Sequence, residues 1–304
     1  MYLGIDTSNY TTSCALFDGK DVVQKKKLLA VKEGKKGLRQ SDAVFQHTVN
    51  LPALLAELNP TDIKAVGVST RPRNIEGSYM PCFLVGEGIA TAAAVGARAS
   101  LYKTSHQAGH ILAALYSADK LELTEKKHIA FHLSGGTTEA LLVTPDRENI
   151  INSKIIASSL DLKAGQAIDR AGVMLGLKFP CGKELDSLSL KSNESYKYKP
   201  SMKGFDCSLS GVENKAKKLL ENGASNEDIA KFVLTCVSET VSQMLYEIIK
   251  QYGDLPVIFS GGVSSNSLLR KTVNERFNAY FAEPEFSLDN AAGCAIYAYL
   301  KDRR

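Results

Sequence analysis

Leu3-Gly4-Ile5-Asp6-Thr7-Ser8-Asn9-Tyr10-Thr11-Thr12 and Ile129-Ala130-Phe131-His132-Leu133-Ser134-Gly135-Gly136-Thr137-Thr138 follow one pattern. In each, a short apolar run ends in a polar turn, and a second apolar run follows, at 14–17 in the first copy and 139–143 in the second. Run, turn and run read as two antiparallel strands. A third strand completes each set, at 22–29 after the hairpin signal Asp18-Gly19 and at 149–156 in the second copy. Beyond the first meander, Ser41 can cap a helix through about 58, since Val44, Phe45, Leu51, Leu54 and Leu55 roughly share a face. A strand at 65–69 and an Ala/Gly-rich helix at 83–98 come next. The second copy continues with helices at about 163–176 and 226–251, a strand at 256–260, a helix from about 264 and a last helix from 290. Three strands and then helix, strand, helix make half of a layered α/β domain. Its recurrence predicts two duplicated α/β domains with a boundary near 105–125: an N-terminal domain over 1–112 and a C-terminal domain over 113–304, with an insertion at about 177–225.

Composition narrows the class. The chain has 304 residues, 44% hydrophobic and 23% charged, with 23 Gly and 9 Pro, which excludes a mainly disordered or collagen-like chain. At about 150 residues per domain, two cores are affordable. A net charge of +4 is too mild to mark a nucleic-acid binder by itself. The six cysteines, at 14, 82, 181, 207, 236 and 294, form no C-x-x-C pair, against both a thiolate metal cage and a disulfide framework. There is no basic n-region with a long apolar h-region, and the longest apolar stretches, such as 88–97, are interrupted by Gly. The expectation is a soluble cytoplasmic protein with reduced thiols and no membrane contact.

Three turns are candidates for phosphate contact: the one after Asp6, Ser134-Gly135-Gly136-Thr137-Thr138, and Ser260-Gly261-Gly262-Val263-Ser264-Ser265-Asn266. Adjacent glycines let backbone N–H groups approach a phosphate, and a helix N-terminus adds its positive end. A Gly-Gly pair alone is more often structural. Three such turns at strand ends in a duplicated frame point to a nucleotide held between the halves.

In Ser105-His106-Gln107-Ala108-Gly109-His110 two histidines stand at i and i+4, which on a helix puts both imidazoles on one face, able to ligate one metal or simply to form a polar surface. A zinc-peptidase reading needs Glu directly after the first His, and Gln107 cannot serve as that base. A further ligand to such a pair is commonly a carboxylate. Asp289, in Ser287-Leu288-Asp289-Asn290, is a candidate, and an N-cap is its other reading.

These residues together form a recognisable set. The chain resembles the TsaD family of tRNA threonylcarbamoyladenosine synthases, formerly described as glycoprotein endopeptidases, within the actin-like ATPase superfamily. The resemblance spans nearly the whole chain. It is carried in order by Leu3-Gly4-Ile5-Asp6-Thr7-Ser8, His106-Gln107-Ala108-Gly109-His110, Leu133-Ser134-Gly135-Gly136, Ala164-Gly165-Gln166-Ala167-Ile168-Asp169-Arg170, Ser208-Leu209-Ser210-Gly211, Gly261-Gly262-Val263-Ser264-Ser265-Asn266 and Asp289-Asn290. The implied fold is two actin-like (ribonuclease H-like) domains with a nucleotide and metal cleft between them. The implied activity moves the threonylcarbamoyl group from threonylcarbamoyl-AMP to N6 of the adenosine following the anticodon in tRNA, with other proteins of that pathway as partners and a homo- or heterodimer as the assembly. The implied cofactors are one divalent metal, iron or zinc, on His106, His110 and Asp289, and an adenine nucleotide (threonylcarbamoyl-AMP or ATP/ADP). The adenylate positions are His132, Leu133, Ser134, Gly135, Gly136, Asp169, Gly182 and Asn266. His132 stands where archaeal and eukaryotic relatives place a metal-reaching tyrosine, so it is either a further ligand or a core histidine. The resemblance assigns no general base.

Departures from the family pattern accompany it. Arg71-Pro72-Arg73-Asn74 replaces Gly-Pro-Gly-Leu, Gln40-Ser41-Asp42-Ala43-Val44-Phe45-Gln46-His47 keeps only the His of its stretch, and Gly135-Gly136-Thr137-Thr138-Glu139 replaces Gly-Gly-His/Asn-Thr-Gln. They point to a diverged paralogue. Two rival readings follow: a nucleotide-binding partner or regulatory subunit, and a transferase or kinase for another acceptor, with Arg71 and Arg73 recruiting an anion. Eight basic residues among 20–39 read either as a phosphate-backbone contact or as a solvated lysine edge. Lys197 and Lys199, interleaved with Tyr196 and Tyr198, are a candidate RNA clamp.

Overall fold

The computed structural model describes residues 1–8, 10–31, 38–286 and 291–304. The first half runs β1 (Tyr2–Asp6), β2 (Thr11–Phe17), β3 (Val22–Leu28), α1 (Gln40–Leu58), β4 (Ala65–Arg71), α2 (Phe83–Ala97), β5 (Ser100–Ser105) and α3 (His106–Ser117). The second opens with β6 (His128–Leu133), β7 (Thr138–Asp146), β8 (Ile150–Ser158), α4 (Ala164–Met174) and α5 (Gly182–Ser189). It continues with β9 (Ser201–Lys203), β10 (Asp206–Ser208), α6 (Ser210–Glu221), α7 (Asn226–Tyr252), β11 (Val257–Ser260), α8 (Ser267–Asn274), β12 (Ala279–Phe281) and α9 (Ala291–Asp302).

Two five-stranded sheets share one topology, β3-β2-β1-β4-β5 and β8-β7-β6-β11-β12. In each, the first strand pairs antiparallel with the second and parallel with the strand that follows a helical segment. The duplication read from the hairpins thus extends to whole sheets. Strands β5 and β12 were not evident from sequence, because both are partly exposed edges without apolar alternation.

Packing groups the chain into one unit of Met1–Glu125, Thr144–Ser153 and Glu285–Arg304, and another of Lys126–Val143 and Lys154–Pro284. In place of a single break between 112 and 113, the last helix returns to the first unit. The reason lies in β1, which is buried along its whole length. Leu3 and Ile5 face Leu51 and Leu54 of α1 and Ala90 and Ala94 of α2. Gly4, pointing the other way as strand alternation requires, meets α9: a Cβ there would lie 1.9 Å from the Ala291 carbonyl oxygen. Gly67 on β4 meets Cys294 in the same way, at 1.9 Å. Only a helix of small residues fits so close to a sheet, and Ala291-Ala292-Gly293-Cys294-Ala295 supplies it. In the second unit α7 is long and apolar enough by composition to cross a bilayer, but Val233, Val237, Val241 and Met244 lie in that unit's core.

Candidate functional site

The first unit gathers its polar residues where parallel strands end. Ile5 is in register with Val68, so Asp6 and Ser69 are neighbours past that pair, and β5 delivers His106 directly to the start of α3. The carboxyl ends of parallel strands are where open α/β sheets place ligands. Ser105 caps α3 by accepting from the Ala108 N–H at 3.2 Å, which fixes the helix's first turn. Asp6 is 2% exposed and serves as an acceptor on both oxygens. Ser8 Oγ donates to Oδ2 at 2.7 Å, Ser69 Oγ donates to Oδ1, and His106 Nδ1 lies 3.2 Å from Oδ1. Burial alone would raise the Asp6 carboxyl. The facing His106 ring and the serine donors outweigh it and hold the group below the usual carboxylate range.

His106 and His110 stand one turn apart, as the i,i+4 spacing requires, with ring centroids 4.6 Å apart and planes at 66°. Phe83 packs edge-on to His106 at 6.1 Å. Deeper in the unit, His47 is fully buried on α1 with Nδ1 2.8 Å from Thr12 Oγ1, and its Nε2 has no hydrogen-bond partner among the described residues. Burial pushes the His47 imidazole down to about 4, against a smaller upward pull from Asp6, so it is neutral at pH 7. Among the described residues, no group of three or more His, Cys, Asp or Glu is placed to hold a metal ion. Asp289 lies outside the described residues.

In the second unit the predicted nucleotide residues are physically linked. The Ser134–Thr137 turn follows β6 and packs on the start of α4: Gly165 N donates to Ser134 O at 3.2 Å, and a Cβ on Gly165 would meet the Gly135 nitrogen at 2.6 Å. Gly261, at φ +90° after β11, presses on Leu133, where a Cβ would lie 2.3 Å from the carbonyl oxygen. Helix α5 joins the remaining positions. Asp169 on α4 accepts from the Cys181 N–H at 2.8 Å, beside Gly182, and Asn266 Nδ2 donates to Asp186 Oδ1 at 2.8 Å. Asn266 Oδ1 also caps α8 through the Leu269 N–H at 2.9 Å. Outward from this frame Gly135, Gly136 and Gly182 have open space: nothing lies within 4 Å of a Cβ built on any of them. His132 is placed at the end of β6 with Nδ1 3.2 Å from Ser260 Oγ.

A family model described as TsaD: tRNA N6-adenosine threonylcarbamoyltransferase matches residues 39–296. The chain belongs to this family. A TsaD relative from Kosmotoga olearia, named tRNA N6-adenosine threonylcarbamoyltransferase, is 31% identical over 86% of this chain and 81% of its own length. One of the same name from Thermosipho africanus is 30% identical over 98% of this chain and 93% of its own. Among solved structures, the Acidaminococcus fermentans (R)-2-hydroxyglutaryl-CoA dehydratase component A superposes with a TM-score of 0.59 at 17% identity, covering 100% of this chain and 99% of that one. That likeness speaks for the fold alone, two α/β units with five-stranded sheets of one topology. Membership in TsaD makes the protein one of a transferase family that acts on tRNA.

Several residues singled out from sequence serve other contacts. Arg71 is turned onto its own loop, donating from Nε to Asn74 Oδ1 at 3.0 Å, from Nη2 to the same oxygen, and from Nη1 to Thr70 Oγ1 at 3.2 Å. It lines a cavity of about 430 Å³ with Asn74, Asn149 and Asn152, but most of its fork is committed within the loop. Tyr196 packs edge-on to Phe232 at 5.4 Å and Tyr198 lies under Lys215, with both rings against the second unit's core. The expected RNA clamp is corrected on that ground: period-two alternation turns the tyrosines inward and leaves Lys197 and Lys199 exposed. Lys25 on edge strand β3 pairs with Glu57 at 3.7 Å, while the basic residues at 32, 35 and 36 lie outside the described residues. The Asp6–Ser69–His106 convergence escaped sequence reading, which placed Asp6 in a phosphate-contacting turn. A lone acid at a strand end was its only local signal.

Proposed function

We propose that this protein transfers the threonylcarbamoyl group from threonylcarbamoyl-AMP to N6 of the adenosine following the anticodon in tRNA. The observation that carries the reading is the convergence of Asp6, Ser69 and the His106–His110 pair at the ends of parallel strands. Two imidazoles with a carboxylate behind one of them suit a borderline ion such as iron or zinc, with Asp289 as the third ligand. When bound, such a metal supplies a Lewis acid for the carbamoyl carbonyl. The chain's own residues do the holding. Exposed backbone at Gly135 and Gly136 offers N–H groups to the donor's phosphate, Gly182 leaves room for close approach, and Asp169 offers its other carboxylate oxygen to ribose hydroxyls. Asn266 acts indirectly, keeping α5 and α8 in register through Asp186. The proposal includes accessory proteins of the same pathway and a cytoplasmic setting, where tRNA is modified.

The test is complementation. Where the resident synthase is depleted, this chain with its accessory proteins should restore threonylcarbamoyladenosine, read by mass spectrometry of tRNA nucleosides. Hydrolysis of the donor with no tRNA product would overturn the stated acceptor.

A further inference from the structure

We infer that Asp6 is a positioning residue for the metal site: it holds His106 in the Nδ1–H tautomer, so that Nε2 is the nitrogen offered for ligation. The inference deepens the proposed function and rests on its metal reading. Asp6 Oδ2 takes the Ser8 hydroxyl at 2.7 Å, and Oδ1 takes the Ser69 hydroxyl and faces His106 Nδ1 at 3.2 Å. A carboxylate has no proton to give, so the ring nitrogen facing it must carry the hydrogen. The two serines matter because they hold both oxygens. Ser69 is fully buried and Ser8 is 6% exposed, so neither hydroxyl has water as an easy alternative. With both oxygens held, the carboxylate cannot rotate away from the imidazole. The strand register sets this geometry: β1 and β4 place Asp6 beside Ser69, and β5 leads straight into His106. Outer carboxylates of this kind orient a ligating imidazole, raise its basicity and fix which nitrogen is available. An acceptor buried under a ring nitrogen is also poorly suited to the phosphate contact expected for this turn, since like charges would meet.

The experiment uses the full chain, ¹⁵N-labelled and metal-free at a pH high enough to leave the imidazole neutral, with long-range ¹H–¹⁵N correlation of the imidazoles and His106 assigned by its disappearance in His106→Gln. The expected result is a protonated Nδ1 and a pyridine-like Nε2 on His106. In Asp6→Asn that preference should be lost, and zinc affinity, measured by chelator competition, should fall by about 10- to 100-fold. Asp6→Glu, which keeps the carboxylate, should recover part of both. A wild-type His106 protonated on Nε2 overturns the inference, as does zinc affinity unchanged in Asp6→Asn. The wild-type tautomer needs no variant, so an Asp6→Asn chain that fails to fold does not protect the inference. Wild-type protein that takes up neither zinc nor iron, while His106 still shows Nδ1–H, would instead sink the metal reading on which the inference rests.

Discussion

Thr12 Oγ1 and His47 Nδ1 lie 2.8 Å apart with both side chains fully buried, tying β2 to α1. A histidine in that position must stay neutral, and burial drives its imidazole down to about 4.

The consequence is acid sensitivity. With a folded-state value below the ordinary unfolded one of about 6.5, His47 resists protonation only in the folded chain. Its contribution is therefore complete above about pH 6.5 and is lost as pH falls towards 4. The loss is on the order of 3 kcal/mol at most. Urea unfolding across this window should show wild type losing stability more steeply than His47→Gln, and equal slopes would refute the assignment.

Gly4 and Gly67 should be intolerant positions, because the obstacle to a Cβ is the α9 backbone at 1.9 Å and not a movable side chain. Gly4→Ala is expected to destabilise by about 3 kcal/mol or more. Gly96→Ala on α2, where nothing lies within 4 Å, should be neutral or stabilising by about 0.5–1 kcal/mol. Denaturant midpoints of the two variants make the comparison directly.

Metal content should depend on the histidine pair. Purified protein is expected to carry about one transition metal per chain, and His110→Ala should lower it about tenfold or more. Asp289→Ala should do the same. Elemental analysis in which His106→Ala and His110→Ala both match wild type would remove the site.

Adenine nucleotides should raise thermal stability, by about 2.7 kcal/mol at ~100 times the dissociation constant. Asp169→Ala should weaken that shift. Asn266→Ala should do so too, and the ligand-free protein should already be about 1 kcal/mol less stable because α8 loses its cap. Thermal shift assays with AMP, ATP and the donor separate the two effects, since Asn266→Ser retains a cap while losing the amide bond to Asp186.

Local chemistry explains what was legible in the chain alone. Apolar runs, turns and capping residues act over a few positions, so the hairpins, the long helices and the i,i+4 histidines could be read where they stand. The repeated order of these elements was enough for a duplicated α/β fold, and ordered motifs for the family. Strand pairing acts over any separation. That Asp6 meets Ser69 and His106, 63 and 100 positions away, depends on parallel strands ending side by side. That α9 belongs with β1 depends on two glycines and a run of small residues fitting across nearly the whole chain. The inward turn of Tyr196 and Tyr198, and Arg71 closing on Asn74, were likewise settled by neighbours. Sequence determined which groups were present and the elements that carry them; tertiary packing alone decided which were neighbours, because burial and hydrogen bonding reward proximity in space, not along the chain.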